Sequence, residues 1–591
     1  MRVWLFRIIA LAIPFLFFIL LEVFLRLGGF GREIPLFIEN PANPHYILPR
    51  PDIVKRYFAE GADIPNVTME ANFLLKEKPE NGLRIFVQGG STAAGFPYGL
   101  GASLAGMLEQ RLKHTFPDKY VEVVNTAMAA VNSYTLLDLA DEVIQQKPDA
   151  VLIYAGHNEY LGILGVGSNY TAANSQATTL LFLKLKDFRT FQLVQRIYHW
   201  SKNEEPMPGK ESQQSRTFMA KVAKHKNIPL GSDIYTAGLA QFETNLSLLL
   251  DKYQQAKVPV FVSTITSNLK DQKPFSSAPM ADKLSDELQA LLGDTPQLAT
   301  NTIDKERLAL LAQNAVDDNS ALLQYRLGQL YLGVGEYDKA LKYFISARDN
   351  DLLRFRAPTE MNEIIRTISK EKNAYLVDVE RNLSTRSPFK IIGNNFMLEH
   401  LHMNVQGYFL LADTFYQAFK NHNTLGDWHD VSTQEAWKMR PILPSEEYNG
   451  YAKIQQLKAD YPFSDGPTPL RLTSPADWQQ KLGQQLFQRK IDWLKMMQQS
   501  AIRYKAARNI PLFNKTNVLI AEALPHDKKI NLAVANQYSK NGQFALSTSY
   551  YQRAILAGDK SKTTYRALVK ALKNSNQIDK AQQWQQKLAE L

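Results

Sequence analysis

Cysteine is absent from the 591 residues of the chain. Its absence excludes disulfide bonds, thiolate metal sites, a cysteine nucleophile and lipid attachment through cysteine. Clustered basic charge is missing as well, because the net charge of +10 comes from Lys and Arg residues that are spread along the chain. Without a basic run, or a basic patch interleaved with aromatic residues, nucleic acid is not an expected partner.

Long apolar runs are equally scarce, and the exception lies at the N-terminus. The run from Ile8 to Leu21 is uninterrupted, and it reaches about 18 residues if Arg7 and Glu22 lie at the membrane interfaces. A cleaved signal peptide is the alternative, but no small-residue cleavage site follows the run. The sequence therefore predicts one uncleaved transmembrane helix within residues 1–28, whose orientation the nearly balanced flanking charges leave open.

Five short runs rich in β-branched residues follow an irregular lead-in segment and alternate with helix-like stretches. They are RIFVQ at 84, VEVVN at 121, AVLIY at 150, VPVFVST at 258 and AYLVDV at 374. Strands that alternate with helices predict an α/β fold whose parallel sheet is covered by helices on both faces. In such sheets the ligand crevice lies beyond the carboxyl ends of the strands.

Two gaps between these strands are too long for simple crossover connections. Residues 162–240 combine amphipathic patches with a polar stretch, which indicates a possible lid. Residues 300–356 carry the spacing of small and large residues of a tetratricopeptide helical hairpin, and a similar spacing returns at the C-terminus. Repeats of this kind either bind a partner protein or support the sheet domain, and the sequence leaves both open.

The predicted units are an anchor (1–28), a lead-in (29–80), the sheet domain in two parts (81–299 and 357–425), the inserted hairpin (300–356), a helical linker (426–520) and C-terminal repeats (521–591).

Side chains with the chemistry of ester cleavage follow the ends of these strands. RIFVQGGSTAAGFPYG (84–99) predicts a strand that ends in a tight turn with Ser91 at the corner, where serine is also a common helix N-cap. Glu399 and His402 stand three residues apart in FMLEHLHMN, after the fifth strand. Attack on an ester needs a hydroxyl, a base and a group that orients the base. We therefore predict Ser91 as the nucleophile, His402 as the base and Glu399 as the residue that orients its imidazole.

An oxyanion hole requires hydrogen-bond donors at the same edge of the sheet. Small residues in NTAMAAVNSY (125–134) follow the second strand, and YAGHNEYLG (154–162) follows the third. We predict that the backbone N–H groups of Ser91 and Ala130 and the side chain of Asn158 form this hole. Asn268, after the fourth strand, is a further candidate for lining the crevice.

The histidines leave alternatives to this prediction. His400 is a rival base, although the three-residue spacing from Glu399 favours His402. The same three side chains could bind a metal ion, but their opposed geometry and the lack of a distant ligand motif speak against it, so neither a metal nor a cofactor is expected. His157 and His199 are predicted to be structural or surface residues.

These motifs resemble the sequence blocks of the SGNH or GDSL hydrolases, a family of esterases and acyltransferases. GGSTAAG at 89–95 is similar to the first block, GDSxxxG, with Gly90 in place of the Asp. GHNE at 156–159 is similar to the third block, GxND, and EHLH at 399–402 to the fifth, DxxH. Ala130 takes the place of the second-block glycine.

The resemblance covers about 81–270 and 357–420 and implies a flavodoxin-like three-layer fold. It implies a serine esterase or O-acyltransferase that forms an acyl-enzyme on Ser91. With the predicted anchor and repeats, the chain resembles a membrane-anchored bacterial branch that faces the periplasm from the inner membrane. From that location we expect a substrate with O-acyl esters, a cell-envelope polysaccharide or lipid. The alternative is a catalytically silent scaffold of an envelope assembly machine, which the departures at Gly90, Ala130 and Glu399 favour.

Overall fold

The computed structural model describes residues 2–60, 62, 64–168, 175–201, 219, 227–292, 304–316, 318–423 and 425–591. The chain begins with helix α1 and continues into a small antiparallel sheet. Their bounds are α1 (Arg2–Leu27), β1 (Phe37–Glu39), β2 (Tyr46–Pro49) and β3 (Leu74–Leu75). Within the described ranges, no helix combines the length and the apolar character that a bilayer crossing requires.

A parallel sheet of five strands forms the centre of the molecule. Its strands are β4 (Gly82–Gly89), β5 (Tyr120–Asn125), β6 (Ala150–Tyr154), β7 (Val260–Ser263) and β8 (Tyr375–Val377). Each of the five apolar runs forms one of them, so the predicted parallel sheet is confirmed. The spatial order β5-β4-β6-β7-β8 is that of flavodoxin-like sheets. Every residue of β5 and β6 is buried, as strands covered on both faces must be.

Helices connect the strands of this sheet, and some of them cover its faces. Between β4 and β8 the chain forms α2 (Ser91–Ala94), α3 (Leu104–Thr115), α4 (Ser133–Gln145), α5 (Gln176–Leu185), α6 (Arg189–Ser201), α7 (Asp233–Gln255), α8 (Asp282–Leu292), α9 (Lys305–Asn314), α10 (Ala321–Gly333), α11 (Tyr337–Asp349) and α12 (Thr359–Glu371). After β8 come α13 (Val379–Arg386) and α14 (Val405–His422). Helix α3 packs against α14, whereas α7 packs against both α4 and α12. Strand β4 runs into α2 at the carboxyl end of the sheet.

The helices of the inserted segment and of the C-terminal region pack mainly on one another. Helices α10 and α11 pack against each other in the inserted segment, with Gly328 directly against the ring of Phe344. The C-terminal helices are α15 (Thr433–Met439), α16 (Pro444–Lys458), α17 (Trp478–Phe487), α18 (Trp493–Ala506), α19 (Ile510–Ala523), α20 (Lys528–Lys540), α21 (Phe544–Leu556), α22 (Lys562–Asn574) and α23 (Ile578–Ala589). From α16 onward each helix packs on the next. The helical character of both regions follows the sequence pattern, while their assignment as tetratricopeptide repeats stays a prediction.

Part of the segment predicted as a lid is described. Its helices α5 and α6 lie against α4 and α1, with Lys186 Nζ 3.0 Å from Asp138 Oδ1 of α4. Residues 169–174, 202–218 and 220–226 lie outside the described residues. A lid over the crevice therefore stays a prediction.

Candidate active site

Ser91 lies at the carboxyl end of β4, at the first position of α2. Strand β4 approaches β6 so closely at its end that a Cβ on Gly89 would lie 2.2 Å from the carbonyl oxygen of Tyr154. Glycine at this position is therefore required by the close backbone approach. Gly90 follows in an extended conformation, and the chain turns into α2 at Ser91. Because Ser91 is the first helical residue, its N–H has no acceptor within the helix.

His402 faces Ser91 although 311 positions of sequence separate them. The Nε2 atom of His402 lies 2.7 Å from Ser91 Oγ, which is within hydrogen-bond distance. The Nδ1 atom of the same ring is hydrogen-bonded to Glu399 Oε1. That carboxylate oxygen also accepts the backbone N–H of His402 at 3.0 Å. The structure thus joins a hydroxyl, an imidazole and a carboxylate in one chain of hydrogen bonds.

Glu399 is shared by two histidines. Its Oε2 atom is hydrogen-bonded to His400 Nδ1, while Oε1 takes His402. Both rings and the carboxylate are buried. The ring of His400 is surrounded by those of Phe275 and Phe463, at centroid distances of 5.3 and 5.5 Å. His400 therefore points to an aromatic enclosure, and His402 is the ring that contacts Ser91.

The ligand atoms of Glu399, His400 and His402 lie within 4.8 Å of one another, a spacing that also suits a metal ion. The Nδ1 atoms of both rings are already bonded to the carboxylate, and Nε2 of His402 faces the serine hydroxyl. A metal ion bound through those atoms would have to replace these hydrogen bonds. We interpret the cluster as a proton-transfer unit.

Burial governs the protonation of this cluster. It lowers the pKa of His402 to about 3 and that of His400 well below its usual range. The charged form of a buried imidazole has lost its water, so the neutral form is favoured. A neutral ring at His402 can accept the Ser91 proton on Nε2. The Glu399 carboxylate on Nδ1 then stabilises the imidazolium that this transfer creates.

Ala130 and Asn158, the two predicted oxyanion donors other than Ser91, have distinct local geometries. Ala130 adopts a left-handed conformation with φ of 64°, which places a small residue where glycine is normally favoured. The Asn158 side chain donates from Nδ2 to the Val131 carbonyl at 3.0 Å. A Cβ on Gly90 would lie 2.8 Å from that same Nδ2 atom, so the amide borders the turn before Ser91. An amide carries two N–H hydrogens, so this bond leaves one for an oxyanion.

Glu159 was not predicted as a functional residue, but in the structure its side chain holds neighbouring segments of the site together. Its buried carboxylate accepts Ser133 Oγ at 2.6 Å and Ser133 N at 3.1 Å, and it also binds Gln241. Burial raises its pKa to about 7, although the Ser133 and Gln241 hydrogen bonds oppose the shift. Glu159 thereby joins the loop of Asn158 to the start of α4. Its adjacency to Asn158 was the available signal in the sequence.

Phe96 is a second residue that the sequence did not single out. Its ring lies 4.7 Å from that of His402, and the hydroxyl of Tyr408 donates to its carbonyl oxygen. The ring covers the imidazole on the side of the loop that follows α2. An isolated phenylalanine after a GGS turn carries no pattern that marks this contact.

The other predicted residues have structural contacts. His157 accepts the N–H of Ala357 on Nδ1 at 3.2 Å and donates from Nε2 to the carbonyl of Thr266 at 3.1 Å. Asn268 binds Asn394 and the backbone of the His400 loop, so it holds that loop in place. The side chain of His199 lies outside the described part of the chain.

Comparisons with known proteins return solved structures alone. No protein-family model and no curated protein matches this chain. A lipase/acylhydrolase from Enterococcus faecalis matches with a TM-score of 0.28 and 14% identity, covering 59% of this chain and 99% of that one. An acetyl xylan esterase matches with a TM-score of 0.27 and 13% identity, covering 57% and 99%. A GDSL-like lipase from Bacteroides thetaiotaomicron matches with a TM-score of 0.25 and 9% identity, covering 59% and 93%. Similarity of this extent does not by itself assign an activity to the chain.

Proposed function

We propose that the chain is a serine esterase or O-acyltransferase of the SGNH type. The observation that carries the proposal is the contact of 2.7 Å between Ser91 Oγ and His402 Nε2, with Glu399 on the opposite ring nitrogen. A hydroxyl bonded to a neutral imidazole that a carboxylate orients is the arrangement that activates serine.

The reaction follows from this geometry. The Ser91 proton moves to His402 Nε2 while Oγ attacks the acyl carbonyl carbon of the ester. The N–H groups of Ser91 and Ala130 and the amide of Asn158 are the proposed donors to the oxyanion. When the tetrahedral intermediate collapses, the alcohol leaves with the proton from His402, and the acyl group stays on Ser91. A hydroxyl acceptor then gives its proton to His402 and takes the acyl group, and His402 returns that proton to Ser91 Oγ as the acyl bond to Ser91 breaks.

The acceptor decides between hydrolysis and transfer. Water yields an acid, and the hydroxyl of a second molecule yields a new ester. Both products arise from the same residues, and the difference lies in how well the closed site excludes water. The proposed substrate is an O-acylated polysaccharide or lipid of the cell envelope, which fits the location proposed next.

We place the chain at the bacterial inner membrane with its hydrolase domain in the periplasm. The support is the apolar N-terminal sequence and the exposed apolar side chains along α1. The C-terminal helices are the proposed docking surface for a partner protein. A scaffold without catalysis is the rival function for the same architecture.

Labelling with a fluorophosphonate probe tests the activity without knowledge of the substrate. The probe phosphorus bonds to an activated serine oxygen and fluoride leaves, so the adduct appears in the intact mass. We expect labelling of the full chain and of Ser175→Ala, which removes an exposed serine at the start of α5. Ser91→Ala and His402→Ala should remain unlabelled. A folded wild-type protein that the probe does not label would support the scaffold instead.

A further inference from the structure

Helix α6 presents an exposed apolar face that the proposed catalytic function does not use. Val194, Ile197 and Tyr198 recur at the three- and four-residue spacing of one helix face, and each is more than half exposed. Trp200, three residues after Ile197, has a relative exposure of 81%. Large apolar side chains exposed together mark a surface that contacts another apolar phase.

This helix is fixed to the end of α1. The Glu22 carboxylate of α1 accepts the backbone N–H groups of Arg189 and Thr190, at 3.0 and 2.8 Å. These are the first residues of α6, so a side chain of one helix caps the start of the other. Arg26 of α1 pairs with the same carboxylate at 2.8 Å and donates to the Asp187 carbonyl. The start of α6 is therefore held at a defined place on α1.

A second contact fixes the direction of α6. The side-chain amide of Gln192 accepts the N–H of Arg32 at 2.9 Å and donates to the carbonyl of Arg32 at 3.0 Å. This paired contact holds α6 on the segment that leaves α1. Farther along, the guanidinium of Arg196 lies over the ring of Phe30 at 5.8 Å. These contacts fix which face of α6 is turned towards α1 and the segment after it. They therefore also fix which face of α6 is left exposed.

Further exposed apolar side chains lie on α1, which contacts α6, and on α5. Exposed apolar side chains on α1 are Ile13, Phe15, Leu16, Phe17, Phe18, Ile19, Leu20, Val23, Phe24 and Leu27. Leu181 and Phe188 are exposed on the neighbouring α5 and on the turn before α6. Exposed basic side chains lie within the same region, at Lys184, Arg196 and Arg26. Apolar side chains, an exposed Trp and Tyr and basic residues together suit the headgroup region of an anionic bilayer.

We infer that α6 lies in the plane of a lipid bilayer surface, with Val194, Ile197 and Trp200 among the acyl chains. The inference rests on the membrane location proposed above. It adds a second membrane contact next to α1, and it requires contact with the bilayer surface only. Because α5 and α6 attach to α4 through the Lys186 contact, this second contact sets the orientation of the sheet domain relative to the membrane.

Single labelled cysteines test the inference in the full chain, which has no cysteine of its own. Ile197→Cys probes α6, and Phe17→Cys probes α1. Ile502→Cys is the matched control, because Ile502 of α18 is exposed to 68% but belongs to the C-terminal helices. Each variant carries an environment-sensitive fluorophore and is reconstituted in phosphatidylcholine and phosphatidylglycerol vesicles with or without brominated acyl chains.

We expect brominated lipid to quench the fluorophores at positions 17 and 197 about two-fold or more, with position 502 unchanged. Trp200→Cys should behave like Ile197→Cys, which keeps the test valid if one variant folds poorly. Quenching at 17 without quenching at 197 or 200 would overturn the inference and leave the membrane location standing. Absence of quenching at all of these positions would overturn both. Equal quenching at 197 and 502 would also refute a specific contact of α6.

Discussion

Glu399 is the residue on which the candidate site depends most, because its two carboxylate oxygens hold two different histidine rings. The usual DxxH block of the resembling family has an aspartate at this position. Glutamate has one more methylene group, and its Oε1 atom reaches both the ring and the backbone N–H of His402. The longer side chain is thus accommodated within the loop, and it gains a second partner in His400.

Glu399→Gln should slow fluorophosphonate labelling of Ser91 by about 10³-fold or more, because an amide cannot hold both Nδ1–H groups and the tautomer of His402 is lost. The rate constant of labelling in the intact protein measures the effect. Glu399→Asp retains the charge but shortens the reach, so it should be intermediate. A Gln variant that reacts at the wild-type rate would remove Glu399 from the mechanism.

His400→Gln and His402→Gln form a matched pair that separates the two candidate bases. His402 contacts Ser91 Oγ and His400 does not. We expect near-complete loss of labelling in His402→Gln, and a loss of about 10-fold in His400→Gln through a less well oriented Glu399. The reverse order of the two effects would make His400 the base.

The pH dependence of labelling reports the protonation of His402. Only the neutral ring can accept the Ser91 proton, and burial lowers the pKa of His402 below the ordinary value of 6.5. The rate should therefore stay constant as the pH falls through 6.5 and decline only in more acidic solution. A decline centred at or above pH 6.5 would mean that the ring is not buried as described.

At the scale of elements, a buried ion pair joins the two helices on one side of the sheet. Arg111 of α3 donates from Nη1 to Asp413 of α14 at 2.6 Å, and its other nitrogens donate to the Val431 carbonyl. The guanidinium also lies 3.5 Å from the ring centroid of Tyr416. Helix α14 begins directly after the His402 loop, so this pair also supports the base.

Asp413→Ala should lower the free energy of unfolding by about 3–5 kcal/mol, because it leaves a buried guanidinium without its counter-charge. Chemical denaturation followed by circular dichroism measures the change. Lys252→Ala is the control, since the Lys252–Asp141 pair is largely exposed and should contribute about 1 kcal/mol or less. Similar losses in both variants would contradict the role assigned to burial.

For the molecule as a whole, buried histidines make stability depend on pH. The pKa values of His157 and His402 are lowered to about 3, and that of His400 lies well below 6.5. The unfolded chain binds protons at these residues below pH 6.5, whereas the folded chain does not. As the pH decreases below 6.5, the free energy of unfolding should therefore decrease by about 1.4 kcal/mol per pH unit for each histidine.

Glu159 acts in the opposite direction. Its pKa is raised from 4.5 to about 7, so between these values the folded chain binds the additional proton and gains stability as the pH falls. It opposes the effect of the three histidines over this range, as do Glu109, Glu446 and Glu447, whose pKa values burial also raises. Thermal unfolding at pH 7 and pH 5 measures the slope, which His157→Gln should reduce. The same slope in the wild type and in His157→Gln would contradict the burial of that ring.

Local sequence pattern predicted the strands because four of the five are short runs whose residues are nearly all buried, and such runs are continuous in the sequence. The turn at Ser91 was visible for the same reason, since Gly89 and Gly90 precede it directly. The placement of α6 on α1 could not be predicted from the local sequence. It depends on Glu22 and Gln192, whose partners lie about 160 positions away.

By itself, the sequence determined the parallel sheet and the turn that carries Ser91 at its edge, because periodicity and turn chemistry act between neighbouring residues. The tertiary structure decided that His402 faces Ser91 and that His400 turns towards Phe275. It also decided that α5 and α6 lie on α1 and α4. These arrangements join residues far apart in the chain, and they follow from the order of the strands and the packing of the helices on them.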